Sequence, residues 1–166
     1  MRGKEEIKKT IEEGKAVLGI EFGSTRIKAV LIDEDKSPIA SGSYDWENQL
    51  VDNIWTYSME KIQNGLQGCY QDLVKDLEAK YNVKLTKFAA LGVSAMMHGY
   101  LAFDENDEML VPFRTWRNTI TEEASEKLTE LFSYHIPQRW SIAHLYQAIL
   151  NGEEHVKDVR YITTLA

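Results

Sequence analysis

The sequence predicts an α/β fold in which a mixed sheet is flanked by helices. Three short apolar segments, 16–22, 27–32 and 39–46, follow one another with only turn residues between them, which predicts an antiparallel meander. Segment 53–80 has apolar residues at helical spacing, and the apolar segment 88–95 follows it as a strand that we expect to be buried. A helix that leads from a meander into a parallel strand gives a mixed sheet with helices packed on it.

A short amphipathic helix is predicted ahead of the sheet, over residues 3–14. Ile7 and Ile11 lie one helical turn apart among lysines and glutamates, and Gly14 is a suitable residue to end the helix. We therefore divide the chain into a leader helix, 1–15, and a domain over 16–166.

The residues after the predicted buried strand indicate a hairpin, two helices and a final strand. Ser141 is the expected N-cap of the second helix, and Gly152 lies just past its end. The final strand lies at the end of the chain without a covering layer, so we expect the domain to be incomplete. The predicted segments are 99–103 and 109–111 for the hairpin around the turn 104–108, 121–132 and 141–150 for the helices, and 159–163 for the strand.

Composition argues against several classes of partner. With 166 residues, 43% of them hydrophobic and 27% charged, the chain has the size and make-up of one globular domain. Its formal net charge of -7 argues against nucleic acid or an anionic membrane as the main partner. No apolar run approaches the ~20 residues of a membrane-spanning helix, and residues 1–15 lack the apolar segment of a signal peptide. The single cysteine, Cys69, rules out an intrachain disulfide, and together these features predict a cytoplasmic protein.

The turn between the first two strands has residues suited to binding phosphate. Gly23, Ser24 and Thr25 are small enough for backbone N–H groups to approach a phosphate, and the two hydroxyls add hydrogen bonds. Glu21, just before the turn, could hold Mg²⁺ directly or through water, and Arg26 adds positive charge. The same string also fits an ordinary hairpin with a glutamate at the strand end, so the residues alone leave both interpretations open.

This segment resembles the first phosphate motif of the FGGY carbohydrate kinases, a family with the actin-like ATPase (ribonuclease H-like) fold. Residues 17–33 read VLGIEFGSTRIKAVLID, in which the Gly-Ser-Thr turn and Lys28 match the motif. Glu21 departs from it, because the family usually has Asp there and Glu is one methylene longer. The resemblance implies that the turn contacts the phosphates of ATP, beside the positive charge of Arg26, and that Glu21 reaches Mg²⁺ through water.

A second segment, 91–103 (LGVSAMMHGYLAF), resembles the strand and loop that contact the sugar in this family, in the form found in its xylulokinases. The resemblance implies that Met97 and His98 face the sugar, beside Gly99, where the chain turns. Methionine gives an adaptable apolar wall, and histidine offers hydroxyls both a donor and an acceptor. Taken alone, His98 fits a structural histidine at a strand end better. Met96 stands where xylulokinases have Gln, which leaves the sugar open.

A third segment, PFRTWRN at 112–118, resembles the family's Pro-x-x-x-Trp-x-Asp/Asn-x-Arg pattern. The resemblance implies that Trp116 stacks on the sugar or lines its pocket, and that Arg117 and Asn118 hydrogen-bond sugar hydroxyls. The alternatives are a core Trp116 and a surface Arg117. In a looser match, SIAHL, His144 stands where the family has Lys, and we interpret it as structural.

The resemblance runs from about Val17 to Ala166 and implies the N-terminal part of an ATP-dependent sugar kinase. Such an enzyme transfers the γ-phosphate of ATP to a sugar hydroxyl, here of a pentulose or a related sugar. The transfer needs a general base, Mg²⁺ and donors around the phosphoryl group. The family's catalytic Asp is expected beyond Ala166, so no catalytic residue is assigned and the polypeptide alone is expected to be inactive.

The expected ligands are therefore ATP, Mg²⁺ and a small sugar, with no nucleic acid and no membrane. Self-association, for example as a homodimer, is expected from the surface that an incomplete domain exposes. The alternative function is a non-catalytic module of the actin-like fold that binds ATP or a sugar. Such a module would share the turn at 23–25 without needing the motifs at 97–99 and 116–118.

Overall fold

A computed structural model describes residues 3–166, and this part of the chain divides into two units. The first unit comprises residues 3–47 with 59–95, and the second comprises residues 48–58 with 96–166. Met1 and Arg2, which belong to the predicted leader segment, lie outside the described residues. In chain order the helices and strands are α1 (Lys4–Glu12), β1 (Val17–Phe22), β2 (Arg26–Ile32), β3 (Pro38–Asp45), β4 (Gln49–Val51), β5 (Ile54–Thr56), α2 (Met59–Tyr81), β6 (Ala90–Ala95), β7 (Gly99–Phe103), β8 (Arg114–Thr115), α3 (Glu122–Phe132), α4 (Ser141–Leu150) and β9 (Tyr161–Thr163), with a 3-10 helix over Glu154–Asp158.

The first unit contains a four-stranded sheet in the order β3-β2-β1-β6. β1 pairs antiparallel with β2, and β2 with β3, whereas β6 lies parallel to β1. Short turns join the antiparallel strands, and the long helix α2 precedes the parallel strand. The predicted meander, helix and parallel strand are therefore confirmed as one mixed sheet.

Helix α2 packs on β2 and β3 and pairs the outer backbone groups of the edge strand β3. Asp72 and Asp76 of α2 accept the backbone N–H groups of Ser43 and Ser41, each at 2.9 Å. Unpaired donors at a sheet edge would otherwise be open to pairing with another chain. Gly42 lies between these two serines, at the point where the helix backbone comes closest to the strand.

We predict that Gly42→Ala destabilises the first unit. A Cβ at this position would lie 2.3 Å from the carbonyl oxygen of Cys69 and 2.3 Å from the amide nitrogen of Leu73. Both distances are too short for atoms that are not bonded to each other. Because both obstacles are helix backbone, relief requires α2 to move, and we expect the free energy of unfolding to fall by about 2–3 kcal/mol in urea denaturation.

Gly92→Ala is the matched control for this substitution. Gly92 also lies in a strand of the sheet, but a Cβ there has no atom within 4 Å. Its replacement should change the free energy of unfolding by less than about 1 kcal/mol. Equal losses from the two substitutions would contradict the close approach of α2 at Gly42.

The predicted helix over 53–80 begins later than expected, and this part of the prediction was wrong. α2 starts at Met59, and Ile54–Thr56 forms β5, which pairs with β4. Asp52 and Asn53 have φ values of 49° and 64°, as in the two-residue turn of a tight hairpin. The error arose because the first apolar residues of the segment fit a helical spacing as well as the strand that they form.

The prediction that residues 88–95 form a buried strand was right about the strand and wrong about its burial. Leu91 and Val93 of β6 are 52% and 57% exposed. β6 lies at one edge of the sheet, whereas α2 packs on β2 and β3, on the other side of β1. Apolar composition identifies a strand that favours burial, but it does not supply the layer that covers it.

In the second unit, β7 is the central strand of a three-stranded sheet, with β8 on one side and β9 on the other. The predicted hairpin between 99–103 and 109–111 is reduced to one bridge, between Phe103 and Met109. The first residues of β7, Gly99 and Tyr100, pair with β8 instead. The predicted final strand is confirmed as β9, and it pairs antiparallel with β7.

Helices α3 and α4 pack together around a small apolar cluster. Ser141 is not the N-cap of α4 as predicted, because Trp140 takes that position and Ser141 is the first helical residue. The Ser141 hydroxyl instead donates to the carbonyl oxygen of Gly99 at 2.6 Å, so it is engaged by β7 rather than by its own helix. The members of the cluster are Leu128, Ile136 and Ala143, with Trp140 and Tyr146 packed against them.

No helix within residues 3–166 combines the length and the apolar character that crossing a membrane requires.

Candidate functional site

The pairing of β7 with β8 brings together the two segments that the sequence assigned to a sugar pocket. Gly99 lies opposite Thr115, and Tyr100 lies opposite Arg114, in antiparallel register. Residues 97–98 come directly before β7 and residues 116–117 come directly after β8. Because the strands are antiparallel, both pairs of residues lie at the same end of the ladder.

Gly99 joins a third segment to this end of the ladder. Its N–H donates to the carbonyl oxygen of Arg139 at 3.1 Å, and its own carbonyl accepts the Ser141 hydroxyl. Its φ of +128° is a conformation that side chains disfavour, and a Cβ would lie 2.7 Å from the Phe113 ring and 2.8 Å from the Arg114 carbonyl oxygen. Hydrogen bonds of the Gly99 backbone thus hold the start of α4 beside β7, at a position whose conformation and close neighbours favour glycine.

A cavity of about 320 Å³ opens where these segments meet. Its volume lies at the lower end of the range for small-molecule sites, which suits a ligand the size of a monosaccharide. Two of its lining residues, Met97 and His98, are predicted site residues. The other three lie at the start of α4 and were not assigned to the site from the sequence, although Trp140 precedes the loosely matched SIAHL segment and could be expected at the rim. The lining residues are Met97, His98, Trp140, Ser141 and Ile142.

His98 is held in its neutral form. Partial burial lowers the pKa of His98, and the positive charge of Arg139 lowers it further. At neutral pH the imidazole therefore has one donor and one acceptor nitrogen, the combination that pairs well with a hydroxyl. Met97 lies beside it with 70% of its surface exposed, which is unusual for an apolar side chain of this size.

The three predicted residues after β8 differ in their surroundings. Trp116 is 43% exposed and does not line the cavity. The Arg117 guanidinium lies over the ring of Trp55, with its carbon 3.8 Å from the ring centroid. Asn118 is buried, and its side-chain amide accepts the N–H of Trp55 and donates to the carbonyl groups of Trp55 and Thr115. The side chain of Asn118 therefore holds strand β5 in place and does not face open space.

A buried polar cluster ties β7 and β8 to residues 153–155. Arg114 of β8 forms a two-pronged ion pair with Glu153, and its guanidinium carbon lies 5.4 Å from the centroid of the Tyr100 ring. The Tyr100 hydroxyl hydrogen-bonds Nε2 of His155 at 2.9 Å. Burial alone would raise the pKa of Glu153, but the hydrogen bonds and charge of Arg114 hold that pKa below its ordinary value.

His144 is fully buried beside this cluster, as its structural interpretation requires. Its ring stacks on Tyr100 with centroids 6.1 Å apart, and neither ring nitrogen has a hydrogen-bond partner in the part of the chain that the structure describes. Burial lowers the pKa of His144 to about 4, with the charge of Arg114 adding to the effect and that of Glu153 opposing it. The side chain is thus a neutral ring in the core at pH 7.

We predict that His144 makes the folded state sensitive to mild acid. Its folded pKa of about 4 lies below the ordinary value of 6.5, so the unfolded chain binds more protons between these two pH values. The free energy of unfolding should therefore fall as the pH drops through this window, by up to about 3 kcal/mol. Denaturation by urea at pH 7.5 and pH 5, compared between the protein and a His144→Phe variant, measures this term.

The variant should lose less stability between these pH values than the unaltered protein. Some dependence should remain, because burial also lowers the pKa of His155. His135→Gln serves as the control for the loss of a histidine, because His135 is exposed. An identical pH dependence in the His144→Phe variant would contradict the account of His144.

In the first unit, the predicted phosphate turn joins β1 to β2. The N–H of Gly23 donates to the carbonyl oxygen of Arg26 at 3.0 Å, which closes the turn. Trp46, just past β3, holds it in place: its indole N–H donates to the carbonyl of Gly23 at 2.7 Å, and its backbone N–H donates to that of Thr25 at 3.1 Å. Ser24 occupies the tip between these anchored residues.

Charged side chains next to the turn lie in cross-strand pairs. Glu21 is opposite Lys28, with the carboxylate 3.7 Å from the ammonium, and both side chains are more than half exposed. Arg26 pairs with Asp45 at 2.5 Å. Glu21, Arg26 and Lys28 line a cavity of about 640 Å³ on the sheet, whereas the turn residues Gly23, Ser24 and Thr25 are not among its lining residues. Lys28 was matched in the sequence but not assigned to the site.

The surroundings of Glu21 fit a Mg²⁺ ion only together with other ligands. Among residues 3–166, no group of three or more His, Cys, Asp or Glu side chains is arranged to hold a metal. Mg²⁺ retains several waters and commonly takes one or two carboxylates together with the phosphates of a nucleotide. A single exposed carboxylate such as Glu21 could be the one protein ligand of such an ion. The ammonium of Lys28 would first have to move away from that carboxylate.

Comparison with known proteins identifies the family to which this chain is similar. Residues 16–146 match the model of the N-terminal domain of the FGGY family of carbohydrate kinases. The xylulose kinase of Bacillus subtilis is 25% identical over 122 residues, which cover 74% of this chain and 24% of that protein. The gluconokinase of the same organism is also 25% identical over 122 residues, covering 72% of this chain and 22% of that protein. A solved ligand-bound xylulose kinase from Lactobacillus acidophilus matches 89% of this chain and 31% of its own, with a TM-score of 0.71 at 19% identity.

The solved structure places the chain among proteins with the sugar-kinase fold, which confirms the predicted actin-like α/β fold. Because the family model spans most of its residues, the chain belongs to the FGGY family of carbohydrate kinases. The chain spans about a quarter of the length of the curated relatives it matches.

Proposed function

We propose that this chain supplies the sugar-binding part of a kinase that transfers the γ-phosphate of ATP to a sugar hydroxyl. The observation that carries the proposal is the cavity at the end of the β7–β8 ladder. It is lined by Met97 and His98 and lies at the end of the ladder where Trp116 and Arg117 also follow β8. Two motifs of the sequence thus meet at one end of the ladder, and the first of them lines a cavity of monosaccharide size there.

Each proposed residue has a role that its surroundings allow. Neutral His98 donates to one sugar hydroxyl and accepts from another, and Met97 packs against the carbon skeleton. The exposed ring of Trp116 offers an apolar face to the same skeleton. Gly99 fixes the backbone that presents these groups. Asn118 acts by positioning Trp55, and hence the Arg117 side chain that lies on it.

ATP and Mg²⁺ are the proposed partners of the turn in the first unit. Gly23, Ser24 and Thr25 would contact phosphate oxygens, and Arg26 and Lys28 would offset their negative charge. Glu21 would reach Mg²⁺ through water, and the ion when bound neutralises charge on the phosphates. The pairing of Arg26 with Asp45 means that Arg26 would have to share its guanidinium between a carboxylate and a phosphate.

No general base is proposed among the acidic residues of the second unit. The carboxylate of Asp104 accepts the backbone N–H groups of Asn106 and Glu108, and that of Asp107 accepts the hydroxyl of Tyr161 at 3.1 Å. Hydrogen bonds to backbone groups lower the pKa of Asp104, which makes it a poor acceptor of a proton. Both side chains thus serve the turn after β7, and a catalytic Asp beyond Ala166 stays a prediction.

The identity of the sugar is proposed from the motif and from the relatives. The Met-His-Gly string of the xylulokinases predicts a pentulose, and relatives of this chain are named for xylulose and for gluconate. One of the chemical differences between these two compounds is charge, since xylulose is neutral and gluconate carries a carboxylate. The division into a leader over 1–15 and a domain over 16–166, a cytoplasmic location and assembly as a homodimer likewise stay predictions.

We predict that His98→Ala weakens sugar binding by about tenfold, because one or two hydrogen bonds to hydroxyls are lost. The measurement is isothermal titration of the purified protein with D-xylulose and with D-gluconate. His135→Ala is the control, since His135 is exposed and lies away from the residues that line the cavity. Equal affinity in the His98→Ala variant, or an equal loss in the control, would refute the proposed sugar site.

A further inference from the structure

We propose that Trp46 is the positioning residue of the turn at 23–25 and keeps this turn in the conformation that receives the phosphates of ATP. This inference rests on the proposed function, because it takes the turn to be the phosphate site. It goes beyond that function by assigning a role in nucleotide binding to a residue outside the turn, which the sequence motifs did not include.

The carbonyl groups of the turn are engaged within the chain. A turn that binds phosphate has to present N–H groups to the ligand and keep its carbonyl oxygens away, because those oxygens repel the phosphate oxygens. The carbonyl oxygens of Gly23 and Thr25 both accept hydrogen bonds from Trp46, at 2.7 Å from its indole N–H and at 3.1 Å from its backbone N–H. That of Arg26 accepts the N–H of Gly23. Two of these three carbonyl groups thus depend on Trp46.

The indole of Trp46 is itself held in place. Trp46 is only 6% exposed, and its ring lies beside that of Phe22, the last residue of β1, with the centroids 6.1 Å apart. A buried indole N–H without an acceptor would lose its hydrogen bond to water and gain none in return. Because the Gly23 carbonyl is that acceptor, any rotation of this carbonyl toward the ligand would leave the indole N–H unpaired. The burial of Trp46 therefore stabilises one conformation of the turn.

Ordering the turn before the ligand binds is the contribution that we assign to Trp46. The pairing of β1 with β2 extends to Phe22 and Ile27, and the bond from Gly23 to Arg26 closes the turn beyond them. The two bonds from Trp46 add a restraint from a third strand segment. A loop that is already ordered loses less conformational entropy on binding, which raises its affinity.

The neighbouring residue, Asp45, acts on the same turn in the opposite sense. Its carboxylate pairs with the Arg26 guanidinium at 2.5 Å, and both side chains are more than half exposed. This pairing occupies a guanidinium that would otherwise offset phosphate charge, and the carboxylate itself repels phosphate. Removal of the carboxylate should therefore strengthen nucleotide binding, whereas loss of the Trp46 indole N–H should weaken it.

The test measures binding of MgATP to the purified protein by isothermal titration, with magnesium tripolyphosphate as a probe of the phosphate contacts alone. Trp46→Phe removes the indole N–H but keeps an aromatic ring beside Phe22. We expect this variant to bind both probes about fivefold more weakly, as for the loss of one hydrogen bond. Weaker nucleotide binding by a variant that is still folded is a result that a purely structural role of Trp46 would not produce.

Two variants of the same strand make the result specific. Tyr44→Phe removes a hydroxyl from an aromatic ring that lies close to Gly65 and Gly68 of α2, and it should change either affinity by less than about twofold. Asp45→Asn should bind both probes about two- to threefold more tightly. Thermal unfolding of each variant verifies that the fold is intact. Should Trp46→Phe unfold, NMR of the unaltered protein decides, because the Trp46 indole N–H signal should shift with the dissociation constant of tripolyphosphate.

The contrary outcomes separate the inference from the function on which it rests. A folded Trp46→Phe variant that binds both probes as tightly as the unaltered protein would overturn the inference and leave the turn as the phosphate site. So would an equal loss in Tyr44→Phe, weaker binding by Asp45→Asn, or a Trp46 indole signal that does not move at saturation. Binding of neither probe to the unaltered protein would instead refute the proposed role of the turn, and the inference with it.

Discussion

The backbone of Gly99 is the constraint on which the candidate sugar site depends. Its N–H and carbonyl groups hold the segment around Arg139 and Ser141, and its pairing with Thr115 sets the register of β8. A side chain at this position would meet both the Phe113 ring and the Arg114 carbonyl. Three segments therefore converge on one residue that cannot be larger, and the cavity lies where they converge.

The rest of the second unit supports that point. Arg114 and Tyr100, the next pair along the ladder, are anchored to Glu153 and His155 by hydrogen bonds and an ion pair in a largely buried setting. Buried charges are stable only when they are paired, so Arg114 and Glu153 each require the other. In the first unit, close packing plays the corresponding role, because Gly42 lets α2 lie against β3 and pair its edge. In each unit, one glycine in a strand therefore permits a close approach of neighbouring segments.

Much of this could be predicted from the sequence, for identifiable reasons. Short apolar segments separated by turn residues, a long amphipathic helix and the ordered motifs are local signals, and they predicted the mixed sheet and the candidate residues at 97–99 and 116–118. The contributions that depend on tertiary contacts could not be predicted. The Ser141 hydroxyl bonds to Gly99 instead of capping its helix, Trp140 lines the cavity, and Leu91 and Val93 remain exposed. Asn118 carried a motif signal, but its contacts with Trp55 arise from a hairpin that resembled the start of a helix.

The central claim is that the segments before β7 and after β8 form one sugar site together with the start of α4. A sugar titration followed by NMR tests it most directly, through the methyl signal of Met97 and the indole N–H signals of Trp116 and Trp140. The indole of Trp46, bonded to Gly23 in the first unit, serves as the internal reference. The account predicts that the three site signals shift together with a single dissociation constant while Trp46 does not move. Shifts at Met97 and Trp140 without any at Trp116, or with different dissociation constants, would contradict it.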